Sequence, residues 1–278
     1  MTAIACWLRR EENLPGKYIW AVADSRVGVR STAGRSVLID HAPKIIGFPV
    51  RGYHVRALEV PELIFASKVA VAYAGNTIGA FSTVITATSA LARLKCGSQR
   101  EEPPTLEDIA RAVKRIAVRH AKSIGVLHPD TAPMEFAVFG GCPRERRLRL
   151  FRFEVPSGEA AEELDLTPDD AVVILGSGAD AVRAQIAERR KGRSLDDVDW
   201  WTAPYHAMED VIRSANIDSV GGGLQVVRAS TDDVIQIATL GTRRPIRLFG
   251  LDLEEDIGAV GWWLPDVMIM QTHLEPDV

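Results

Sequence analysis

The chain has 278 residues and only three cysteines, Cys6, Cys96 and Cys142. An odd, scattered set does not make a disulfide frame. It fits buried free thiols in a reducing compartment, so a cytoplasmic location is expected. No His/Cys pair has metal-site spacing and the six histidines are isolated, so neither a metal nor another cofactor is expected. No apolar run reaches the 18 or so residues of a membrane span. The apolar start is short and is followed by Arg9 and Arg10, the reverse of the order in a signal peptide. A net charge of −4, from 33 basic and 37 acidic residues, leaves no electrostatic footprint for nucleic acid. Internal repeats and low-complexity segments are missing as well. What is present, 46% hydrophobic and 25% charged residues, is the composition of an ordinary globular chain with one large domain or two small ones.

Residues 2–8 and 18–23 are apolar at nearly every position, with Pro15-Gly16 between them. This predicts two antiparallel strands covered on both faces, because a strand with one wet face would alternate. Val37-Leu38-Ile39 is a third apolar segment, and Lys44 stands directly before a short apolar strand expected to lie beside the first pair. Residues 51–67 follow no clear pattern. Residues 69–74 read as a buried strand broken by Gly75-Asn76, and a helix is expected over about 77–95. Thr105, after Pro103-Pro104, caps a second helix to about Ser123, with Asp108 placed to reach back. Strands follow at 134–139, 147–155 and 171–175. Gly176-Ser177-Gly178 then leads into a helix over about 179–190. Residues 191–203 read as a polar loop carrying Trp200 and Trp201, residues 204–215 as a helix, and 223–229 and 233–240 as strands. Apolar pieces Ile246–Phe249 and Trp262–Leu264 close the chain. Strands, two helices, strands, two helices, strands is neither βαβ alternation nor a helical bundle. It predicts an α+β fold, a four-layer αββα sandwich of two antiparallel sheets with helix pairs outside.

Four places carry chemistry. Thr2 follows Met1, which methionine aminopeptidase removes before a small residue. The exposed residue would then hold a hydroxyl nucleophile and an α-amine base of pKa about 7.7–8.0 in one unit. Asp24 ends the second strand and so returns to the level of Thr2. An Asp there is costly unless paired, and Lys44 is the pairing cation within reach. Gly75 offers a bare backbone N–H to an oxyanion, and Gly176-Ser177-Gly178 offers more N–H groups and a hydroxyl. That glycine stretch also fits a dinucleotide fingerprint. The charged loop expected after its helix, in place of a second parallel strand with an acidic end, speaks against it.

Thr2, Ala23-Asp24-Ser25-Arg26, Lys44-Ile45, Ala74-Gly75 before a helix, and Gly176-Ser177-Gly178 occur in this order over residues 2–228. This pattern resembles a proteasome β-subunit or its single-subunit bacterial relatives, which are N-terminal-nucleophile hydrolases. The resemblance implies a threonine-type peptidase. Thr2 attacks, with its amine as base directly or through water. Asp24 orients Lys44, Lys44 keeps Thr2 activated, the Gly75 N–H forms the oxyanion hole, and Ser177 supports the amine and its water. Asp218, with Asn216 as the competing register, fills the family's acidic position after the last helix. Val27, Ile46, Tyr73, Thr77 and Phe81 line a specificity pocket whose uncharged character implies cleavage after an apolar residue.

The resemblance further implies a homo-oligomeric ring or barrel acting on peptides or unfolded protein, fed by a separate ATPase unfoldase. It sets residues 1–228 apart as the hydrolase core and 229–278 as a C-terminal extension. Met1 removal is the only processing it calls for. Two departures stand out. Gly28 replaces a small hydroxyl residue that contacts substrate backbone, and the 9–17 connection is longer than usual. A non-catalytic structural subunit and a small-molecule amidase of the same fold are the alternative readings.

Overall fold

The computed structural model describes residues 2–10, 16–31, 34–54, 60–96, 102–127, 133–156, 160–166, 168–240, 246–249, 251–258 and 268–272. In chain order the elements begin with β1 (Ile4–Arg10), β2 (Lys17–Asp24), β3 (Val27–Ser31), β4 (Gly34–Ile39), β5 (Ile45–His54) and β6 (Glu62–Gly75). Then come α1 (Thr77–Leu91), β7 (Leu94–Lys95), α2 (Leu106–Leu127), β8 (Met134–Gly141), β9 (Leu148–Val155), β10 (Glu162–Glu163) and β11 (Val172–Leu175). The chain continues with α3 (Ala179–Arg190), α4 (Val198–Ser214), β12 (Leu224–Ala229), β13 (Val234–Leu240), β14 (Ile246–Leu248), β15 (Leu251–Asp252) and β16 (Met268–Gln271). No described helix is long and apolar enough to cross a membrane.

Two compact units divide the chain. The first takes Met1–Ile45, Leu166–Arg228 and Ile235–Val278. Its sheet has the order β11-β1-β2-β12-β13-β14-β15, with β16 parallel to β13. β1 and β2 pair antiparallel with Ile4 opposite Ala23 and Trp7 opposite Trp20. On one face Ala3, Ala5, Trp7, Trp20 and Val22 pack with Val182 and Ile186 of α3 and Met208 and Val211 of α4. On the other face Ile4 and Cys6 are equally buried, which is why the sequence does not alternate. Burial pushes the Cys6 thiol up to about 12, so it stays protonated and inert. β3 and β4 form a separate two-stranded ribbon. Its Val37, Leu38 and Ile39 are exposed rather than core.

The residues expected as a polar loop before Pro204 are in part helical. Asp197 caps α4 by accepting from the Asp199 N–H at 3.0 Å, so Trp200 and Trp201 sit in the first turn. Pro204 is inside the helix, not at its start. The N–H it lacks would have bonded the Trp200 carbonyl. That carbonyl instead accepts from Arg190 Nε at 3.3 Å, across from α3. A tertiary donor thus removes the breaker that made residue 204 look like a boundary. Trp262 and Trp263 lie outside the described residues.

The second unit takes Ile46–Asp165 and Ala229–Val234. Its sheet runs β10-β9-β8-β6-β5-β7. The unpatterned residues 51–67 supply the end of β5 and the start of β6. β5 therefore lies in this sheet and not beside β1 and β2 as expected. α1 and α2 cover one face: Ala80, Val84 and Leu91 meet Val69, Val71 and Tyr73, and Ile109 and Val113 meet the same core. Thr105 caps α2 as the sequence indicates. Its Oγ1 accepts from Asp108 N–H at 3.1 Å, and its own N–H donates to Asp108 Oδ2 at 3.0 Å.

Gly75 ends β6 opposite Met134 of β8, with φ +96. A Cβ there would stand 1.9 Å from the Pro133 carbonyl oxygen. Side chain and backbone geometry are both refused, so Gly75→Ala should cost more than about 2 kcal/mol. Chemical denaturation reads this directly, and a midpoint equal to wild type would show that the 133–134 strand entry yields freely.

Candidate active site

The site is built in the first unit around one carboxylate. Asp24 ends β2 and is fully buried. The antiparallel register sets it beside Ala3, and the two residues bond reciprocally. Asp24 N–H donates to Ala3 O at 3.2 Å, and Ala3 N–H donates to Asp24 Oδ1 at 2.9 Å. Oδ2 accepts from Lys44 Nζ at 2.9 Å and from the N–H groups of Arg26 and Gly221 at 3.2 Å each. Four donors therefore satisfy a carboxylate without access to water, which is the condition for keeping a charge there.

Lys44 is the other half of the pair and is 1% exposed. Burial is the largest influence on both groups. It pushes Asp24 up and Lys44 down, each opposed by the partner's charge. Arg26 lowers Lys44 further, and Asp40 raises it. Burial thus holds the Lys44 ammonium below the usual lysine range, and the Asp24 carboxylate opposes that shift.

The Ala23-Asp24-Ser25-Arg26 motif is explained residue by residue. Ser25 N–H and Arg26 N–H both donate to Gly221 O, at 3.1 and 3.0 Å. Ser25 Oγ donates to Asp40 O and accepts from Gly223 N–H at 2.6 Å. Arg26 grips the Asp40 carboxylate with Nε at 2.6 Å and Nη2 at 3.3 Å. Between these contacts Gly222 has φ +71, and a Cβ on it would lie 2.3 Å from Asp40 O. The glycine run 221–223 therefore lets backbone press against backbone under the carboxylate.

Thr2 immediately precedes Ala3 and is 4% exposed. Its carbonyl accepts from Gly178 N–H at 3.2 Å, so the Gly176-Ser177-Gly178 turn holds the start of the chain through backbone. Ser177 itself is exposed, and its hydroxyl makes no hydrogen bond among the described residues. Asp218 and Asn216 are exposed too, and neither reaches the Asp24–Lys44 pair by a hydrogen bond or ion pair among the described residues. Val27, in β3, is 8% exposed. Gly75, Ile46, Tyr73, Thr77 and Phe81 belong to the second unit. There Tyr73 is 2% exposed within the core, while Phe81 is 39% exposed on α1.

Two participants escaped the sequence reading. Gly221 donates to Asp24 as described. Gln225, 2% exposed in β12, accepts from Lys44 N–H at 2.8 Å and Ile45 N–H at 3.3 Å and donates to Ala42 O at 2.6 Å. A glutamine inside the strand Leu224-Gln225-Val226-Val227 was the available signal. Among the described residues no group of His, Cys, Asp or Glu could hold a metal ion.

No protein-family model matches the sequence, and no curated protein matches it. Solved structures do. An Anbu (ancestral β-subunit) from Yersinia bercovieri is 17% identical, covers 85% of this chain and 86% of its own, and superposes with a TM-score of 0.55. The Gly-1 mutant of Anbu from Hyphomicrobium sp. strain MC1 is 17% identical over 84% of each chain, with a TM-score of 0.54. A helical assembly of the Anbu complex from Pseudomonas aeruginosa is 16% identical over 85% of this chain and 86% of that one, with a TM-score of 0.54. The chain thus has the fold of these proteasome-like β-subunits, the N-terminal-nucleophile hydrolase fold that the order of its elements and motifs implied.

Proposed function

We propose that this chain is a threonine-type peptidase whose nucleophile is Thr2, exposed by removal of Met1. The observation that carries this reading is the buried Lys44–Asp24 pair at 2.9 Å, bonded through Ala3 N–H to the residue next to Thr2. Burying both charges is expensive, and packing alone would favour apolar residues there. The pair is in keeping with a cation maintained at the start of the chain for chemistry.

In the reaction, Thr2 Oγ attacks the peptide carbonyl and its proton passes to the Thr2 amine. The tetrahedral oxyanion takes a hydrogen bond from a backbone N–H. The C–N bond breaks, the leaving amine takes the proton, and an ester remains on Thr2 Oγ. Water, deprotonated by the same amine, hydrolyses the ester and regenerates the hydroxyl. Lys44 lowers the pKa of hydroxyl and amine by its charge.

The active species is a self-compartmentalised homo-oligomer acting on unfolded protein or peptides, with an ATPase unfoldase as feeder. α1 supports self-association: Ile78, Phe81 and Ile85 are 77%, 39% and 51% exposed at i, i+3, i+7 spacing, an apolar stripe left uncovered among the described residues.

The test is mass spectrometry of the N-terminal peptide after incubation with a β-lactone. The expected product lacks Met1 and carries the acyl group on Thr2 Oγ. Retention of Met1 with no adduct would sink the peptidase reading and favour a structural subunit.

A further inference from the structure

Lys44 precedes β5 and belongs to no regular element. Something else must fix its backbone if its ammonium is to meet Asp24 in one geometry. Ala42 N–H donates to Ser25 O at 3.0 Å, which ties one side of the segment to the Asp24 loop. The other side is tied through side chains of β12 and β13: Gln236 Nε2 donates to Ile45 O at 3.4 Å, and Gln225 makes the larger set of bonds. Gln225 spans residues 42–45 with three hydrogen bonds: it donates to Ala42 O at 2.6 Å and accepts from the N–H groups of Lys44 at 2.8 Å and Ile45 at 3.3 Å. Ala42, Lys44, Ile45 and Gln225 are all buried. A glutamine is the side chain that can do this without adding charge, since one terminal amide both donates and accepts.

We infer that Gln225 is a positioning residue of the reaction: its amide clamps residues 42–45 so that the Lys44 ammonium is held on Asp24 beside Thr2. The inference rests on the peptidase reading above and extends it to a residue that touches neither substrate nor nucleophile. Removing the clamp leaves two buried N–H groups and one carbonyl without partners. The segment then rearranges to satisfy them and carries Lys44 with it. The charged groups facing Lys44 are Asp24, Arg26 and Asp40, and its distance from each sets when it loses its proton.

Gln225→Met keeps length and removes both polar functions. Against a fluorogenic peptide, kcat should fall roughly 10- to 100-fold while KM stays within about threefold. The pH–rate limb governed by the Lys44–Asp24 pair should move by at least about half a pH unit. Separately, reductive methylation read by mass spectrometry should find Lys44 protected in the wild type and modified at least about tenfold faster in the variant. A variant with wild-type kcat and pH limb, or one whose loss lies in KM alone, overturns the inference. If Gln225→Met does not fold, Gln225→Glu keeps the acceptor and is read by the same criteria. A wild type that is never acylated at Thr2 is a failure of the peptidase reading. The clamp itself is then decided by methylation, and equal protection of Lys44 in both proteins rejects it.

Discussion

Thr2→Ala is expected to abolish hydrolysis and leave the protein folded. The substitution removes the only atom that can form the acyl ester, so the loss should be on the order of 10³ to 10⁶ in kcat, with residual turnover below detection. Stability should change by less than about 1–2 kcal/mol, because the side chain lost is small. The bonds that anchor the start of the chain also survive: Gly178 N–H to Thr2 O and Ala3 N–H to Asp24 are backbone contacts on the protein's first residues. Peptide hydrolysis, β-lactone labelling and a melting curve on one preparation separate the two effects. Alanine is small enough to leave Met1 removal unchanged, so processing is held constant. A Thr2→Ala protein that still cleaves peptides would move the nucleophile elsewhere, and one that fails to fold would give Thr2 a structural part the contacts do not support.

Asp24→Asn should be nearly as damaging to activity and far more damaging to the fold. The asparagine keeps the shape, and its oxygen can still accept from backbone N–H groups. Its NH₂, however, turns a donor towards Lys44 or towards the N–H groups of Ala3, Arg26 and Gly221. Lys44 is left as a buried ammonium without its counter-ion, and breaking a buried pair in this way costs about 3–5 kcal/mol. The pH dependence has a definite sign. Folding already lowers the Lys44 pKa from its usual value, and losing Asp24 lowers it further. The unfolded state is common to both proteins, so the variant's deficit is full below its own folded Lys44 pKa and shrinks as pH rises through the higher folded value of the wild type. Urea midpoints of wild type and variant across this range test the argument, and a deficit that grows with pH would contradict it. Lys44→Met makes the contrast, since Asp24 keeps three backbone donors and loses only the ammonium.

Much of this site could be read in the chain because its residues lie where local rules put them. A hairpin register returns residue 24 to residue 3, and that follows from two apolar runs and the turn between them. The capping of α2 at Thr105 and the strand-to-helix turn at 176–178 are equally local. The extent of α4 was not, because the penalty of Pro204 is met by Arg190 from another helix.

The sequence by itself determined which groups could do chemistry, Thr2, Asp24 and Lys44, and the order in which strand groups and helix pairs alternate. Residue type and apolar periodicity are local properties, and they survive in a one-dimensional string. Only the tertiary structure decided that Lys44 reaches Asp24 from the entry of a strand in the other sheet. It also decided that Gly221 completes the carboxylate's shell and that Gln225, 181 residues from Lys44, holds it in place. A buried charge must find every partner it needs, and those partners are chosen by proximity in space, which spacing along the chain does not record.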